Sequence, residues 1–227
     1  MKKIFILLIT FLMFMGGNLT AFADELEFIN LAIQENPNES KLYNTRASIK
    51  EEMEDYSGAI QDYNMALRLN PEYGKAYYNR ANLYVSLEKY DNALSDFNMA
   101  VKFYPDESCY NNRGLLRKDL SDFDGAIYDF TKAIALSPNN ESAYYNRGFT
   151  YFSKKMFEKA IPDFTMAIKN EAKNPDAFYY RGISKAVTGK KTEGLKDLSW
   201  AKEQYLEVDN NEGYQNCIKM INLVNQM

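Results

Sequence analysis

Apolar residues recur along this 227-residue chain in pairs of short segments that have the period of an α-helix. In one such pair, the second segment carries four apolar residues at helical spacing: Ala93, Phe97, Ala100 and Val101. Prolines follow the second segments at regular intervals: Pro37, Pro71, Pro105 and Pro138. Proline lacks the backbone N–H that a continuing helix requires. The pattern therefore predicts helical hairpins, each made of two short antiparallel helices.

One short phrase returns five times, reading YNTRA at 43–47, AYYNRA at 76–81, YNNRG at 110–114, AYYNRG at 143–148 and FYYRG at 178–182. Its arginines are separated by 34, 33, 34 and 34 residues: Arg46, Arg80, Arg113, Arg147 and Arg181. A catalytic motif is rarely needed five times in one chain. A fixed period of this length is typical of a stacked repeat array, so we interpret the phrase as mainly structural.

Small residues recur where the two helices of a hairpin must approach closely, directly after each arginine and along the second helix: Ala47, Ala81, Gly114, Gly148, Gly182, Ala59, Ala93, Ala126, Ala160 and Gly194. Larger side chains there would push the helices apart from their close-packed distance. Aromatic residues fill the remaining space, for example Tyr63, Phe97, Phe130 and Phe164 on the second helices.

This combination resembles the tetratricopeptide repeat, whose 34-residue unit has small residues at the closest helix approaches, an aromatic at the turn and a terminal proline. The resemblance implies an all-α fold, a right-handed α-solenoid of antiparallel helical hairpins. It covers five units at 40–73, 74–106, 107–140, 141–174 and 175–207, preceded by a half repeat at 24–39 and followed by a capping helix at 208–227.

An aspartate lies 16 residues after each arginine, on the second helix of the same predicted hairpin: Asp62, Asp96, Asp129, Asp163 and Asp197. Because the two series share one period, we expect each arginine to pair with an aspartate across its hairpin or with the neighbouring unit. Such bidentate pairs would fix the register of helices that are otherwise interchangeable.

The resemblance also implies that the first helices line a concave groove. The groove-lining positions are then Asn79, Asn82, Asn112, Tyr145, Asn146, Phe149, Tyr179 and Tyr180. Exposed amides can hydrogen-bond the main chain of an extended peptide whatever its sequence, and tyrosines add contact area at little entropic cost. An alternative is that the asparagines only help neighbouring repeats to stack.

A subgroup of tetratricopeptide proteins grips the carboxylate end of a chaperone tail with lysine and arginine. The corresponding places here are uncharged: Tyr78, Asn82, Asn112, Ser142 and Asn146. We therefore expect the partner to be a protein or peptide segment of neutral or apolar character rather than an acidic tail.

A second feature is expected on the opposite face, where large apolar residues occupy equivalent places on the second helices: Met65, Met99, Met166 and Trp200. Methionine adapts to irregular partners, and an apolar outer stripe can mark an association surface. This pattern allows the alternative of a self-associating envelope assembly protein, and so of a homo-oligomer. The other interpretation is that these side chains tuck between adjacent second helices.

The amino terminus reads as a secretory signal over residues 1–23. MKK is followed by an apolar run without charge, and Ala21-Phe22-Ala23 provides a small-residue site for cleavage after Ala23. We therefore expect an exported protein, periplasmic or secreted from a bacterial cell, with no membrane insertion after cleavage.

Charge and composition exclude several function classes. The formal net charge is −4, which disfavours nucleic acid as a partner. The chain has no histidine, and its two cysteines, Cys109 and Cys217, lie about three repeats apart. Metal-ligand spacings, nucleophile–base pairs and phosphate loops are also missing from the sequence. We therefore expect no metal, no cofactor and no enzymatic activity.

Overall fold

The structure is a computed structural model that describes residues 19–170 and 173–226. Within these residues the secondary structure consists of twelve α-helices and no β-strand. The helices are α1 (Leu19–Glu35), α2 (Ser40–Glu52), α3 (Tyr56–Leu69), α4 (Gly74–Ser86), α5 (Tyr90–Phe103), α6 (Glu107–Asp119), α7 (Phe123–Leu136), α8 (Glu141–Ser153), α9 (Phe157–Asn170), α10 (Pro175–Val187), α11 (Lys191–Glu207) and α12 (Asn211–Gln226).

The chain divides into two compact units, Met1–Pro105 and Asp106–Met227. The first unit carries α1 to α5 and the second carries α6 to α12. From α2 to α11, helices follow one another as hairpins whose two members are joined by three residues, and such short connections require antiparallel neighbours.

The core of each hairpin combines alanines with one large side chain. The fully buried large residues of α3, α5, α7, α9 and α11 are Tyr63, Phe97, Phe130, Phe164 and Leu198. The alanines that flank them have no exposed surface, as Ala93 and Ala100 show in α5. Pro162 is the sixth residue of α9 and does not interrupt the helix, although proline has no N–H to donate to the carbonyl of Glu158 one turn earlier.

Each turn between the two helices of a hairpin contains one residue with a left-handed backbone. These residues recur with the period of the arginines, at Glu54, Glu88, Ser121, Lys155 and Gly189. Only the last is a glycine, with φ of 85°. A left-handed backbone is costly for a residue that has a Cβ atom, so the first four turns keep a local strain that the fifth avoids.

Replacing Glu88 with glycine is therefore expected to raise the free energy of unfolding by about 0.5–1 kcal/mol, which urea denaturation would measure. Glu88 is exposed and has φ of 57°. The main effect of the substitution is therefore to relieve the strain of the left-handed backbone. Glu203→Gly is the control, because Glu203 is exposed and lies within α11, one turn before its end. There glycine should cost about 0.5–1 kcal/mol. Equal destabilisation by both substitutions would contradict the prediction.

Helix α1 packs its apolar face against the first hairpin. Ile29 and Ile33 are buried in a cluster with residues of α2 and α3, and Phe22 and Leu26 pack against that cluster. Residues 1–18 of the predicted signal segment lie outside the described residues. Its last five residues belong to α1, which continues past Ala23, the predicted cleavage site. Over the described residues, no helix is both long and apolar enough to cross a membrane.

Every arginine of the repeated phrase forms a bidentate pair with the aspartate 16 residues later. The Nε and Nη2 atoms both donate to the carboxylate, at 2.7 and 2.7 Å for Arg80 and Asp96 and at 2.8 and 2.7 Å for Arg147 and Asp163. The same geometry joins Arg46 to Asp62, Arg113 to Asp129 and Arg181 to Asp197. The aspartates are buried, and the arginines are partly or fully buried.

The third donor of the guanidinium reaches back to the preceding second helix. Nη1 of Arg46 donates to Asn30 at 2.8 Å. Nη1 of Arg147 likewise donates to Thr131 at 3.0 Å, and Nη1 of Arg181 donates to Thr165 at 3.3 Å. Arg80 donates in the same way to Asn64. The arginine thus holds its own hairpin together and also joins it to the second helix before it. The sequence signal that could have predicted this contact is a polar residue 16 positions before each of these arginines.

Both cysteines are free and fully buried in the second unit. Burial raises the pKa of Cys109 to about 12 and that of Cys217 to about 11. In the unfolded chain a thiol titrates near pH 8.5, so the folded state keeps these protons over a pH range in which the unfolded state loses them.

The free energy of unfolding is consequently expected to fall as the pH rises from about 9 to 11. The slope should reach up to about 1.4 kcal/mol per pH unit for each thiol. The contribution is fully present below the unfolded pKa and is lost as the pH rises through the folded pKa. Urea denaturation across this range should show a shallower slope for the Cys109→Ala, Cys217→Ala variant than for the parent. Identical slopes would contradict the assignment to the thiols, leaving buried tyrosines such as Tyr63 as the source.

Helix α12 covers the end of the last hairpin. Cys217 and Val224 are its buried residues, and Ile221 and Met220 pack against the cluster that contains Leu198. The other face of α12 is exposed and polar, for example at Lys219 and Asn222.

Candidate functional site

The predicted site residues of the first unit lie at a polar cleft of about 470 Å³. Asn79 and Asn82 of α4 form one wall, and the other residues that line it are Ser48, Glu51, Glu52, Tyr56, Tyr63 and Ser86. The Tyr63 hydroxyl donates to Oε2 of Glu51 at 3.0 Å and lies 3.2 Å from the Ser48 hydroxyl. Burial raises the pKa of Glu51. The cleft therefore presents several hydrogen-bonding groups.

The asparagines of the phrase contact amides of the preceding repeat. Nδ2 of Asn79 donates to Oδ1 of Asn44 at 3.1 Å, and Nδ2 of Asn146 donates to Oδ1 of Asn111 at 3.3 Å. Each bond joins two first helices of the same unit. Oδ1 of Asn112 accepts from Asn111 at 3.5 Å. A primary amide has two N–H donors and an acceptor oxygen, so Asn79 and Asn146 use part of their capacity for stacking and part remains for other contacts.

In the second unit, five aromatic side chains of α8 and α10 form one continuous group, here called the aromatic surface: Tyr145, Phe149, Phe152, Tyr179 and Tyr180. Tyr180 is at its centre, with its ring 4.9 Å from that of Phe149, 5.0 Å from that of Phe152 and 5.2 Å from that of Tyr179 in edge-on geometry. The Tyr145 ring lies 6.3 Å from that of Phe149. All five side chains are partly buried.

The aromatic surface is electrically neutral over the physiological pH range. Burial raises the pKa values of Tyr145, Tyr179 and Tyr180, so their hydroxyls stay protonated. One cation lies beside the group: Nζ of Lys118 is 5.6 Å from the centre of the Phe149 ring, a typical cation–π distance. Four of the five members were predicted from the sequence. Phe152 was not, because its position in the repeat is not among the groove-lining places that the resemblance implies.

The apolar residues expected on the outer face are all partly buried. Met65 packs against the core cluster that includes Ile29 and Ile33. The ring of Trp200 stacks on that of Phe178 with centroids 3.8 Å apart. Met99 and Met166 likewise have intermediate exposure. At Met65 and Trp200, therefore, the apolar area is used at least in part within the fold.

Family models of the tetratricopeptide repeat match the chain in two registers. A model described as TPR repeat matches residues 52–87 and 114–155, and one described as Tetratricopeptide repeat matches residues 74–107 and 142–174. Together they cover more than half of the sequence. The chain belongs to the tetratricopeptide repeat family, whose members are in general non-catalytic modules for protein interaction.

Solved structures agree with this family. YrrB, described as a TPR protein with an unusual peptide-binding site, is 22% identical with a TM-score of 0.75, and the match covers 84% of this chain and 97% of YrrB. MamA is 21% identical with a TM-score of 0.70, over 77% of this chain and 96% of MamA. PilF of Pseudomonas aeruginosa is 15% identical with a TM-score of 0.71, over 83% and 85% of the two chains. The predicted class, an all-α superhelical repeat fold, is thereby confirmed. No curated protein sequence matches the chain.

Proposed function

We propose that this chain is a non-catalytic scaffold that binds an extended, neutral or apolar segment of a partner protein on the first helices of its repeats. The contact surface is the aromatic surface of the second unit. The observation that carries the proposal is the cluster around Tyr180, in which five aromatic rings on two successive first helices form a continuous series of contacts.

An extended peptide suits this surface for two physical reasons. Aromatic side chains provide large contact areas with few rotatable bonds, so that little entropy is lost when a ligand covers them. The amide of Asn146, in the same helix as Tyr145 and Phe149, keeps hydrogen-bonding capacity for a peptide main chain beyond its contact with Asn111. Among the five aromatic residues there is no charge, which favours apolar side chains in the ligand.

A peptide display library tests the proposal whatever the identity of the partner. Panning random nonapeptides on the purified protein should enrich sequences with two or more apolar or aromatic residues. The same selection on Phe149→Ala should lose this enrichment, because truncation of a central aromatic contact commonly costs 2 kcal/mol or more, about a thirtyfold change in affinity.

Tyr128→Ala is the matched control for this selection. Tyr128 is 54% exposed on α7 and is not part of the aromatic surface. Thermal melts of both variants establish that each is folded before selection. Equal enrichment on the parent and on folded Phe149→Ala would contradict the aromatic surface as the binding site.

We further propose that the protein is exported to a bacterial periplasm or to the medium, on the strength of the lysine-led apolar segment before Ala23. Mass spectrometry of the amino terminus of the protein from its native cell tests this. Loss of residues 1–23 is the expected result, and an intact terminus would contradict it.

Self-association through the outer methionines and Trp200 has less support than peptide binding. Met65 packs against the core cluster that includes Ile29 and Ile33, and Trp200 stacks on Phe178, so part of their apolar area is already used within the fold.

A further inference from the structure

A small cavity of about 180 Å³ adjoins the aromatic surface where α10, α11 and α12 meet. Its walls include three tyrosines and two carboxylates: Tyr179, Tyr180, Tyr205, Asp176 and Glu212. Tyr179 and Tyr180 belong to both the cavity and the aromatic surface, so a ligand on one reaches the other directly. None of the residues that line the cavity is a lysine or an arginine.

The carboxylates of the cavity have no cation of their own. Within residues 19–170 and 173–226, neither Asp176 nor Glu212 forms an ion pair. Tyr205 is 6% exposed, and its hydroxyl donates a hydrogen bond to Oδ1 of Asp176. This bond orients the carboxylate and leaves its second oxygen available. The aspartates of the repeated pairs differ in this respect, because each of those is bound by an arginine.

Charge and shape favour a cation in this cavity. Asp176 lies in the first turn of α10 and Glu212 in the first turn of α12. Each helix amino terminus contributes about half a positive charge, so the two carboxylates still leave the cavity with a net charge of roughly −1. Tyrosine faces attract cations as well. The volume is smaller than the roughly 300–1,000 Å³ of pockets that bind drug-sized ligands, so the cavity fits one side chain better than a whole small molecule.

We propose that this cavity binds a lysine or arginine side chain of the partner segment that lies on the aromatic surface. The inference rests on the proposed function and narrows it: the part of the segment that covers Phe149 and Tyr180 is neutral and apolar, and one basic residue adjoins that part at the α12 end. Recognition depends on the positive charge of that residue, since an uncharged chain of the same length would leave the carboxylates without a partner.

Two small probes isolate this site from the rest of the ligand. N-acetyl-lysine methylamide carries the ammonium group, and N-acetyl-norleucine methylamide has the same aliphatic chain without the charge. At constant ionic strength, the lysine probe should shift the amide NMR signals of Gly213 and Asn216, which also line the cavity, in a saturable manner. The norleucine probe should leave them unchanged. Equal shifts with both probes, or none with the lysine probe, would overturn the proposal.

Charge-neutral variants connect the binding to the carboxylates. Asp176→Asn with Glu212→Gln should bind the lysine probe about tenfold more weakly, because two solvent-exposed ion pairs are lost. Asn keeps an acceptor for Tyr205, and Glu212 is exposed, so the fold is little perturbed. Glu212→Lys, which adds an ammonium group at the cavity, should abolish binding. The control is Asp91→Asn with Glu158→Gln, two exposed carboxylates on other helices. The same affinity in the parent and both Glu212 variants would overturn the proposal.

Peptides from display separate this inference from the proposed function. Enriched peptides should carry a lysine or arginine beside their apolar residues, and should lose affinity in Asp176→Asn, Glu212→Gln. Peptides that depend on Phe149 but contain no basic residue overturn the inference and leave the proposed function intact. Binding of the lysine probe without enrichment of any peptide contradicts the proposed function instead.

Discussion

Replacement of Gly194 by alanine is expected to destabilise the last hairpin by about 3 kcal/mol or more, at the upper end of overpacking penalties. A Cβ atom at this position would lie 2.5 Å from the carbonyl oxygen of Gly182 and 2.9 Å from the backbone nitrogen of Ala186. Both atoms belong to the backbone of the facing helix α10, so neither can rotate away. Relief requires α10 and α11 to separate, which would disturb the buried packing of Leu198.

The single tryptophan makes this prediction easy to follow, because Trp200 lies nearly two turns further along α11. Urea denaturation followed by tryptophan fluorescence should show the loss of unfolding free energy, and circular dichroism should show the same loss. Gly189→Asn is the control: a Cβ atom at Gly189 would meet nothing within 4 Å, and asparagine tolerates a left-handed backbone better than most residues. A cost for Gly194→Ala no larger than that for Gly189→Asn would show that α10 and α11 are less closely packed than these distances imply.

Substitution of Asp129 by asparagine is expected to cost about 3 kcal/mol, the range for breaking a buried ion pair by removal of one partner. Asp129 is fully buried and accepts hydrogen bonds from two arginines, with Arg113 at 2.7 and 2.9 Å and Arg117 at 2.9 Å. Asparagine has nearly the same shape but carries no charge and only one acceptor oxygen. The two guanidinium groups would then repel each other without a carboxylate between them.

Asp96→Asn provides the comparison for Asp129. Asp96 occupies the equivalent place in α5, is 5% exposed and is bound by Arg80. The position one turn after the repeated arginine is Arg117 in the third hairpin but Tyr84 in the second, so Asp96 has no second arginine at that position. The asparagine substitution should therefore cost about half as much at Asp96 as at Asp129 when measured by urea denaturation. Equal losses at the two positions would mean that the second arginine contributes nothing.

The periodic part of the structure could be predicted from the sequence, and the reason is visible in single residues. The spacing of Arg46 to Asp62 is repeated five times, so one hairpin explains all the others. Helix ends followed from prolines such as Pro71 and Pro105, and close helix approaches followed from small residues such as Gly194.

Contacts that depend on the angle between neighbouring repeats could not be predicted. The bond from Asn79 to Asn44 links residues 35 positions apart, and residue spacing alone does not determine whether their amides meet each other or a ligand. The left-handed residues at Glu54 and Glu88 gave no signal, because glycine would be the usual residue there.

The cavity beside the aromatic surface could not be predicted for a different reason. It arises where the repeat ends: Tyr205 lies at the close of α11, and its contact with Asp176 has no counterpart in the earlier hairpins that the structure describes. Glu212 and Asn216 belong to α12, which stands outside the repeat period. Periodic positions do not include such residues, although they lie directly beside Tyr180.

Peptide binding by the aromatic surface is tested most directly by the dissociation constant of one display-selected peptide, measured by fluorescence anisotropy for the parent, Phe149→Ala and Tyr128→Ala proteins. Phe149→Ala should weaken binding by roughly thirtyfold while Tyr128→Ala leaves it within about twofold, because only Phe149 belongs to the aromatic surface. Equal dissociation constants for the parent and a folded Phe149→Ala protein would contradict the claim that this surface binds the partner.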